Sequence, residues 1–242
     1  MCELARHVLS TRIVSRRLKK VDPNFVVAGL SVCGDYRADP PYQLVRKLMP
    51  ELRNDIDLLA PDPYCGAYDF TTSVVSGPEL GGFRSALLET QRLQAGFGKT
   101  KDLIIAEKGL GVAYHAPPDD STNKALANFT ARNLIVAKSV GPVRFYSHYL
   151  AVGSAAWRIQ NRGYPSDDEH PVADFGMWKQ TLDSRGRPYY QPRPVVAAYA
   201  TVARLLAGAG DPTELNAHDF YAYLFSRSSN PRWAARAGST SV

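Results

Sequence analysis

The sequence predicts an α/β protein in which parallel strands alternate with helices. Short apolar runs and longer amphipathic stretches follow one another four times along the 242 residues. The apolar runs are continuous, which is typical of strands buried on both faces of a parallel sheet. The segments after the strands are long and rich in aromatic and polar residues, whereas the segments before the strands are short.

The first two units are preceded by a helix. Residues 3–20 show helical spacing of apolar side chains, and Pro23 prevents the helix from continuing. A continuous apolar run at 25–32 then predicts the first strand. The amphipathic stretch 42–54 predicts the next helix, and the run 56–60 predicts the second strand.

The remaining units repeat this alternation. Pro194 is placed to open the last helix, because its fixed backbone angle suits the first helical turn. The further predicted helices are at about 80–95, 122–140 and 194–206, and the further predicted strands are at 103–107, 143–148 and 220–225.

Four strand and helix units with a leading helix do not close a barrel by themselves. They form either an open doubly wound sheet or half of an eightfold barrel. The long segments after the strands favour the half barrel, since a barrel builds its active site from the loops at the carboxyl ends of its strands. The glycine-rich motifs GxGxxG and GxxxxGK[ST] are absent from the sequence, so no nucleotide cofactor is predicted.

Composition and charge are those of an ordinary globular protein. Hydrophobic residues make up 45% of the chain, charged residues 21%, and the net charge is +6. Basic residues cluster at 12–20, but on a helix that also carries apolar residues, which favours a solvated face over a nucleic-acid site. The cysteines are only three and unevenly spaced, which argues against a disulfide framework and a zinc site.

Targeting and metal signals are also weak. No apolar run approaches the roughly 20 residues of a membrane span. Residues 1–7 lack the apolar core of a signal peptide, and the sequence assigns no compartment. His115, His170 and Asp174 do not form a convincing ligand set, so neither a metal nor another cofactor is predicted.

Glu107 is the most informative single residue. It follows four apolar residues and precedes Lys108 and Gly109, so it is expected at the last position of a buried strand. A carboxylate there costs free energy to desolvate unless it is paired or used. Glycoside hydrolysis needs such carboxyl groups, one as nucleophile and one as proton donor. The structural alternative is a strand-end Glu paired with Lys108 or with an arginine.

Other residues near the predicted strand ends are candidate ligand contacts. Asp62 follows the second strand and is suited to bind sugar hydroxyls or to cap a turn, and Tyr64 is suited to orient a carboxylate or to pack. On the fourth strand either Tyr146 and His148 or their neighbours face the interior. Aromatic faces stack on sugar rings, although they also anchor loops; the tryptophans available in the following loop are Trp157 and Trp178.

At these residues the sequence resembles the clan of retaining glycoside hydrolases on the (β/α)8 barrel, including cellulase-like and xylosidase-like families. Residues 103–109, Leu-Ile-Ile-Ala-Glu-Lys-Gly, are similar to their seventh strand, which ends in the nucleophile. Residues 56–64 are similar to their sixth strand, with Asp62 where a histidine is frequent. Residues 193–206 resemble their eighth helix, and 220–225 resemble the opening strand of an appended β-domain.

The resemblance implies the C-terminal half of a barrel. Residues 1–210 would be a partial catalytic domain running from helix 4 to helix 8, and 211–242 would begin a C-terminal β-domain or form a disordered tail. In that clan the proton donor is a Glu at the end of strand four, which would precede residue 1, so the chain is expected to be truncated. A half barrel leaves two sheet edges unpaired, which implies self-association or poor solubility.

The function that follows from the resemblance is retaining hydrolysis of β-linked glycosides in an oligo- or polysaccharide, with Glu107 as nucleophile. Its full-length relatives would be secreted or periplasmic. One alternative is a carbohydrate-binding pseudoenzyme that kept the loops and lost the acid. A second alternative, from another class, is an open-sheet protein that binds nucleic acid or another anion through its basic clusters.

Overall fold

The computed structural model describes residues 2–31, 40–63, 82–110, 112–113, 121–149, 151–153, 173–174, 176–215, 221–226 and 233–237. These stretches form a mixed α/β fold. The helices are α1 (Cys2–Val21), α2 (Pro40–Leu52), α3 (Phe83–Gly96), α4 (Ser121–Val140) and α5 (Pro194–Leu206). Each lies at the position that apolar spacing predicts, with ends shifted by a few residues.

The strands of the predicted α/β units are β1 (Ala28–Gly29), β2 (Leu58–Leu59), β3 (Leu103–Lys108) and β5 (Val143–His148). The other strands are β4 (Val112–Ala113), β6 (Val152–Gly153), β7 (Ala173–Asp174), β8 (Trp178–Leu182), β9 (Pro188–Pro192), β10 (Pro212–Leu215), β11 (Tyr221–Phe225) and β12 (Trp233–Ala237).

The strands of the α/β units lie side by side in chain order. β1 pairs with β2 in parallel, and β3 pairs with β5 in parallel. The segment that continues β2 reaches β3 through a 3.2 Å hydrogen bond from Ala106 N to Pro61 O. Parallel strands with crossover helices, the predicted organisation, are therefore present among the described residues.

The predicted first strand is shorter than expected. The sequence predicts 25–32, but the ladder covers Ala28–Gly29 alone. Hydrogen bonds from Asp57 N to Val27 O and from Ala60 N to Gly29 O extend the pairing slightly. A turn at Asp22 to Phe25 precedes the strand and keeps its first apolar residues out of the ladder.

Helices cover the strands through separate apolar clusters. One side of α2 supplies Val45, Leu48, Met49 and Leu52 at helical spacing, and it packs against Leu30, Ile56 and Leu59. A second cluster joins Leu103 and Ile105 of β3 to helices α3 and α4. These clusters fix the carboxyl ends of β2 and β3 relative to each other, because both strands share helix α3 as a neighbour.

The basic residues of α1 are largely exposed, as the sequence favours, with Arg16, Arg17 and Lys20 at the surface. Some of them also form ion pairs: Arg12 Nε and Arg16 Nε each lie 3.0 Å from a carboxylate oxygen of Asp55. Lys19 Nζ lies 2.7 Å from Asp57. These ion pairs connect α1 to the turn before β2, and the sequence did not predict them because the acidic residues come close only in the folded chain.

Strands also occupy parts of the segments that the sequence suggests are loops. β6 pairs with β8, and β8 forms an antiparallel hairpin with β9. The turn is Asp183–Gly186, where Asp183 accepts hydrogen bonds from Arg185 N and Arg187 N and Gly186 has a φ of 73°. That turn is a recognisable hairpin signal.

The strand expected at 220–225 is present as β11. It lies between β10 and β12 in an antiparallel sheet. Tyr223 and Phe225 of β11 pack with Ile135 of α4, which places this sheet against the helices of the α/β units.

Candidate active site

Glu107 lies near the carboxyl end of β3, one residue before Lys108, which is the last residue of the strand instead of the predicted Glu107. The register with β5 pairs Ile105 with Tyr146 and Lys108 with His148, so β3 holds one extra residue between these pairs. A bulge of this kind re-aims the side chains beside it. Ile105 and Lys108 consequently both face the helices, and alternation turns Glu107 to the opposite face of the strand.

Lys108 is fully buried behind Glu107. Its Nζ donates a 2.9 Å hydrogen bond to Pro63 O. The same atom lies 5.0 Å from the ring centroid of Phe83 and 5.2 Å from that of Phe129, distances at which a cation is attracted to an aromatic face. Lys108 therefore ties the end of β3 to the end of β2 and to helices α3 and α4.

Asp62 is held beside Glu107 by the residues on either side of it. Pro61 O accepts from Ala106 N, and Pro63 O accepts from Lys108 Nζ. The two prolines also restrict the backbone around Asp62. Both chain neighbours of Asp62, Pro61 and Pro63, are therefore hydrogen-bonded to β3. Their partners there are Ala106 and Lys108, the two chain neighbours of Glu107.

The carboxyl group of Asp62 has an asymmetric environment. Ser31 Oγ donates to Oδ2 at 2.5 Å, whereas Oδ1 is buried and has no hydrogen-bond partner among the described residues. Burial raises the pKa of Asp62, the Ser31 hydrogen bond opposes the rise, and the negative charge of Glu107 adds to it; the net shift is upward.

Tyr149 completes the arrangement from the end of β5. Its backbone N donates a 3.0 Å hydrogen bond to Lys108 O. Burial raises the pKa of Tyr149, and the charge of Glu107 raises it further, so its hydroxyl lies within electrostatic reach of that carboxylate. Sequence reasoning missed Tyr149, although the strand-end rule that selected Glu107 applies to the first residue after β5 as well.

Ser31, Asp62, Glu107 and Tyr149 are called the strand-end cluster below. Ser31, Asp62 and Tyr149 follow β1, β2 and β5, and Glu107 is the penultimate residue of β3. Parallel strands bring their carboxyl ends to one edge, which is where α/β proteins bind ligands. Of the predicted site residues, Glu107 and Asp62 come together there.

Tyr146 and His148 lie on the helix-facing side of β5. Tyr146 is buried in the cluster that contains Ile105, and its carbonyl accepts a 3.0 Å hydrogen bond from Tyr199 OH of α5. The His148 ring centroid is 6.4 Å from that of Tyr199. Their roles as sugar contacts stay predictions, and the described contacts are to α5 rather than to the strand-end cluster.

The remaining predicted contacts lie in the segments after the strands. Tyr64 and Trp157 fall outside the described residues. Trp178 begins β8 and donates a 3.0 Å backbone hydrogen bond to Ala151 O, with about a third of its surface exposed. Its proposed stacking on a sugar ring stays a prediction.

A cavity of about 260 Å³ lies elsewhere, between α4, β5 and α5. Tyr146 and Tyr199 line it, but Glu107 and Asp62 do not. Within the described stretches, no three histidine, cysteine or acidic side chains come together as metal ligands. None of the described helices is long and apolar enough to cross a membrane.

Comparisons with known proteins show likeness in fold. No protein-family model matches the sequence, and no curated protein matches it significantly. A family 39 glycoside hydrolase from the gut symbiont Bacteroides cellulosilyticus WH2 superposes with a TM-score of 0.61 at 16% identity, over 97% of this chain and 44% of that one. Fpglu1 from Fervidobacterium pennivoraus superposes with a TM-score of 0.51 at 15% identity, over 84% of this chain and 48% of that one. The chain spans less than half the length of either structure and shares its fold over that part.

Proposed function

We propose that this chain carries the nucleophile side of a retaining glycoside hydrolase site that acts on β-linked oligo- or polysaccharides. The observation that carries the proposal is the position of Glu107. It is the penultimate residue of a parallel strand, beside Asp62 and Tyr149, in a fold shared with a family 39 glycoside hydrolase. Barrel enzymes carry their catalytic groups at the carboxyl ends of the strands, which is the edge where Glu107 and Asp62 lie.

The order of the strands supports a partial barrel. A doubly wound open sheet reverses its strand order at a switch point, whereas a barrel adds each strand on the same side. The described parallel strands follow the chain order β1, β2, β3 and β5. The proposal therefore assigns 1–210 to the C-terminal half of a (β/α)8 barrel and 211–242 to the beginning of a β-domain.

In the proposed reaction a Glu107 oxygen attacks the anomeric carbon while the glycosidic C–O bond breaks. A proton donor completes the leaving alcohol, and water then cleaves the glycosyl ester and restores Glu107. The resemblance assigns proton donation to a Glu outside these 242 residues. Since such help is worth ~10²–10⁴-fold, the chain by itself should hydrolyse ordinary glycosides very slowly.

Activated substrates test Glu107 without a proton donor. Dinitrophenyl β-glycosides of several sugars need little protonation of the leaving group, so the chain should release dinitrophenolate from the matching one. The corresponding fluorosugar should leave a covalent adduct that intact mass spectrometry detects and peptide mapping locates on Glu107. Glu107→Gln should abolish both signals.

The matched control is Glu51→Gln. Glu51 lies on α2 with a side chain that is 66% exposed, so the same substitution there should leave release and adduct unchanged. Absence of an adduct with every sugar, or an adduct that survives Glu107→Gln, would reject the nucleophile role. Sugar binding without any adduct would instead favour the carbohydrate-binding pseudoenzyme.

The partial barrel also implies self-association. Phe145 of β5 is 55% exposed on the face opposite the buried Tyr146, and Phe25 and Val26 before β1 are exposed as well. Pairing of free strand edges between copies would cover these groups. Sedimentation should show mass that rises with concentration, and Phe145→Ser should weaken that rise. A monomer at all concentrations would contradict the idea.

A further inference from the structure

The strand-end cluster contains a carboxyl oxygen with no protein partner among the described residues. Buried polar atoms are nearly always hydrogen-bonded, so an orphan oxygen calls for an explanation. Oδ1 of Asp62 is buried beside Glu107, at the edge where ligands bind in this class of fold. A ligand hydroxyl is a partner of the required kind.

The hydrogen bond from Ser31 distinguishes the two oxygens of Asp62. Ser31 Oγ donates to Oδ2, so Oδ2 acts as the acceptor. A proton on this carboxyl group would therefore reside on Oδ1. A protonated carboxyl is a donor at one oxygen and an acceptor at the other, which fits an acceptor on the ligand next to Oδ1.

The charged and titratable groups around Asp62 favour the protonated form of its carboxyl group. From β3 comes Glu107, whose negative charge makes a second negative charge costly. The ammonium of Lys108 is directed to Pro63 O and two aromatic rings. Tyr149 approaches from β5, and β1 supplies Ser31, which does not titrate in the accessible range. The described residues give Asp62 no ion pair.

We propose that Asp62 serves the site as a neutral carboxyl group, which donates the proton on Oδ1 to a hydroxyl oxygen of the bound sugar beside Glu107. The identity of the ligand as a sugar rests on the proposed function. Asp62 is then a ligand-binding residue that donates to the oxygen of a sugar hydroxyl, whereas an ionised Asp62 would accept the proton of that hydroxyl.

The protonation of Asp62 is measured directly on the full chain by carboxyl carbon NMR. Asp62 should titrate above the ordinary aspartate value of 3.8, and Glu107→Gln should move its midpoint down because the neighbouring charge is gone. Glu51→Gln is the control and should leave the midpoint unchanged. A midpoint at or below 3.8, or one that ignores Glu107→Gln, would overturn the neutral carboxyl.

The donor role is measured by binding of uncleavable methyl β-thioglycosides. Affinity should fall as pH rises through the midpoint of Asp62. Asp62→Asn, whose amide donates at every pH, should keep the affinity and remove the fall. Asp62→Leu should lose about tenfold in affinity, the usual effect of one missing hydrogen bond in a binding site. Thermal melts should show that both variants are folded.

The opposite pattern identifies an ionised acceptor. Affinity that rises with pH and is lost in Asp62→Asn would overturn the inference while leaving the proposed function intact. Failure of every thioglycoside to bind at any pH would overturn the sugar ligand and the proposed function together. The NMR titration still decides the state of Asp62 in that case, so the two failures are distinguishable.

Discussion

The two ends of β2 carry the same residue type in opposite electrostatic situations. Asp55 and Asp57 precede the strand, and Asp62 follows it. The first two face cations of α1, whereas Asp62 faces a serine hydroxyl and the negative charge of Glu107. A few residues of chain therefore separate carboxylates that hold the fold together from one that the fold leaves uncompensated.

At the amino end the charges are neutralised. The Asp55 side chain is 4% exposed and receives Arg12 Nε and Arg16 Nε. Burial by itself would raise the pKa of Asp57. Hydrogen bonds from Lys19 and from Val27 N, together with the charges of Lys19 and Lys99, outweigh burial and lower it. The ion pairs of these carboxylates stabilise the packing of α1.

At the carboxyl end of β2, burial and the negative charge of Glu107 raise the pKa of Asp62 more than the hydrogen bond from Ser31 lowers it. Uncompensated groups of this kind concentrate at functional sites, because chemistry and binding need groups whose bonding capacity is not already used. The difference between the ends of β2 therefore separates a structural role from a candidate functional one.

The largest predicted effect is at the amino end. Asp55→Asn should lower the free energy of unfolding by about 2 kcal/mol, since a buried carboxylate loses its charge-assisted hydrogen bonds to two partly exposed guanidinium groups. That corresponds to a fall of roughly 4–8 °C in melting temperature. Glu51→Gln, whose carboxylate lies 3.9 Å from Arg12 and is mostly exposed, should change stability by less than about 0.5 kcal/mol. Equal effects would remove the distinction between buried and exposed partners of Arg12.

A smaller loss is expected for Asp57→Asn. The pKa of Asp57 is lowered in the folded chain, so its contribution is present above the ordinary value of 3.8 and disappears as pH falls through the folded pKa. At neutral pH the variant should lose about 1 kcal/mol or less, because this pair is partly exposed. Urea denaturation should show wild type and variant converging in acid. A constant difference would contradict the electrostatic cause.

For Asp62→Asn, the change in the free energy of unfolding is expected to have the opposite sign. Because the folded pKa of Asp62 is raised, the native state holds this proton more tightly than the unfolded chain does. Its favourable contribution is complete below 3.8 and is lost as pH rises through the folded pKa. The variant should therefore match wild type in acid and become slightly more stable above that range. Urea denaturation against pH measures this, and destabilisation at neutral pH would break the comparison.

The smallest effect is expected for Ser31→Ala. The hydroxyl of Ser31 lowers the pKa of Asp62, so its removal should move the titration midpoint of Asp62 further up. Stability should change little, since Ser31 is exposed. Carboxyl carbon NMR gives the midpoint. A downward movement would mean that Ser31 stabilises the neutral form of Asp62.

Local patterns predicted the elements well. Apolar spacing located the helices, and the run before Glu107 located β3 and its end, because these signals depend on neighbours a few residues apart. The same signals did not reveal the bulge in β3, which turns Lys108 toward the helices. Alternation also left open which side of β5 faces the helices, and the side that carries Tyr146 and His148 does.

The sequence by itself determined the order of the helices and of the strands in the α/β units, and it placed one carboxylate, Glu107, near a strand end. The tertiary structure alone decided which groups surround it. The contacts of Lys108 with Pro63 and of Arg12 with Asp55 join residues about forty positions apart. Such contacts depend on which strands become neighbours. Backbone periodicity depends on residues that are close in the sequence, so the sequence reveals it. Burial and charge at a site depend on which distant residues pack together, so only the folded chain reveals them.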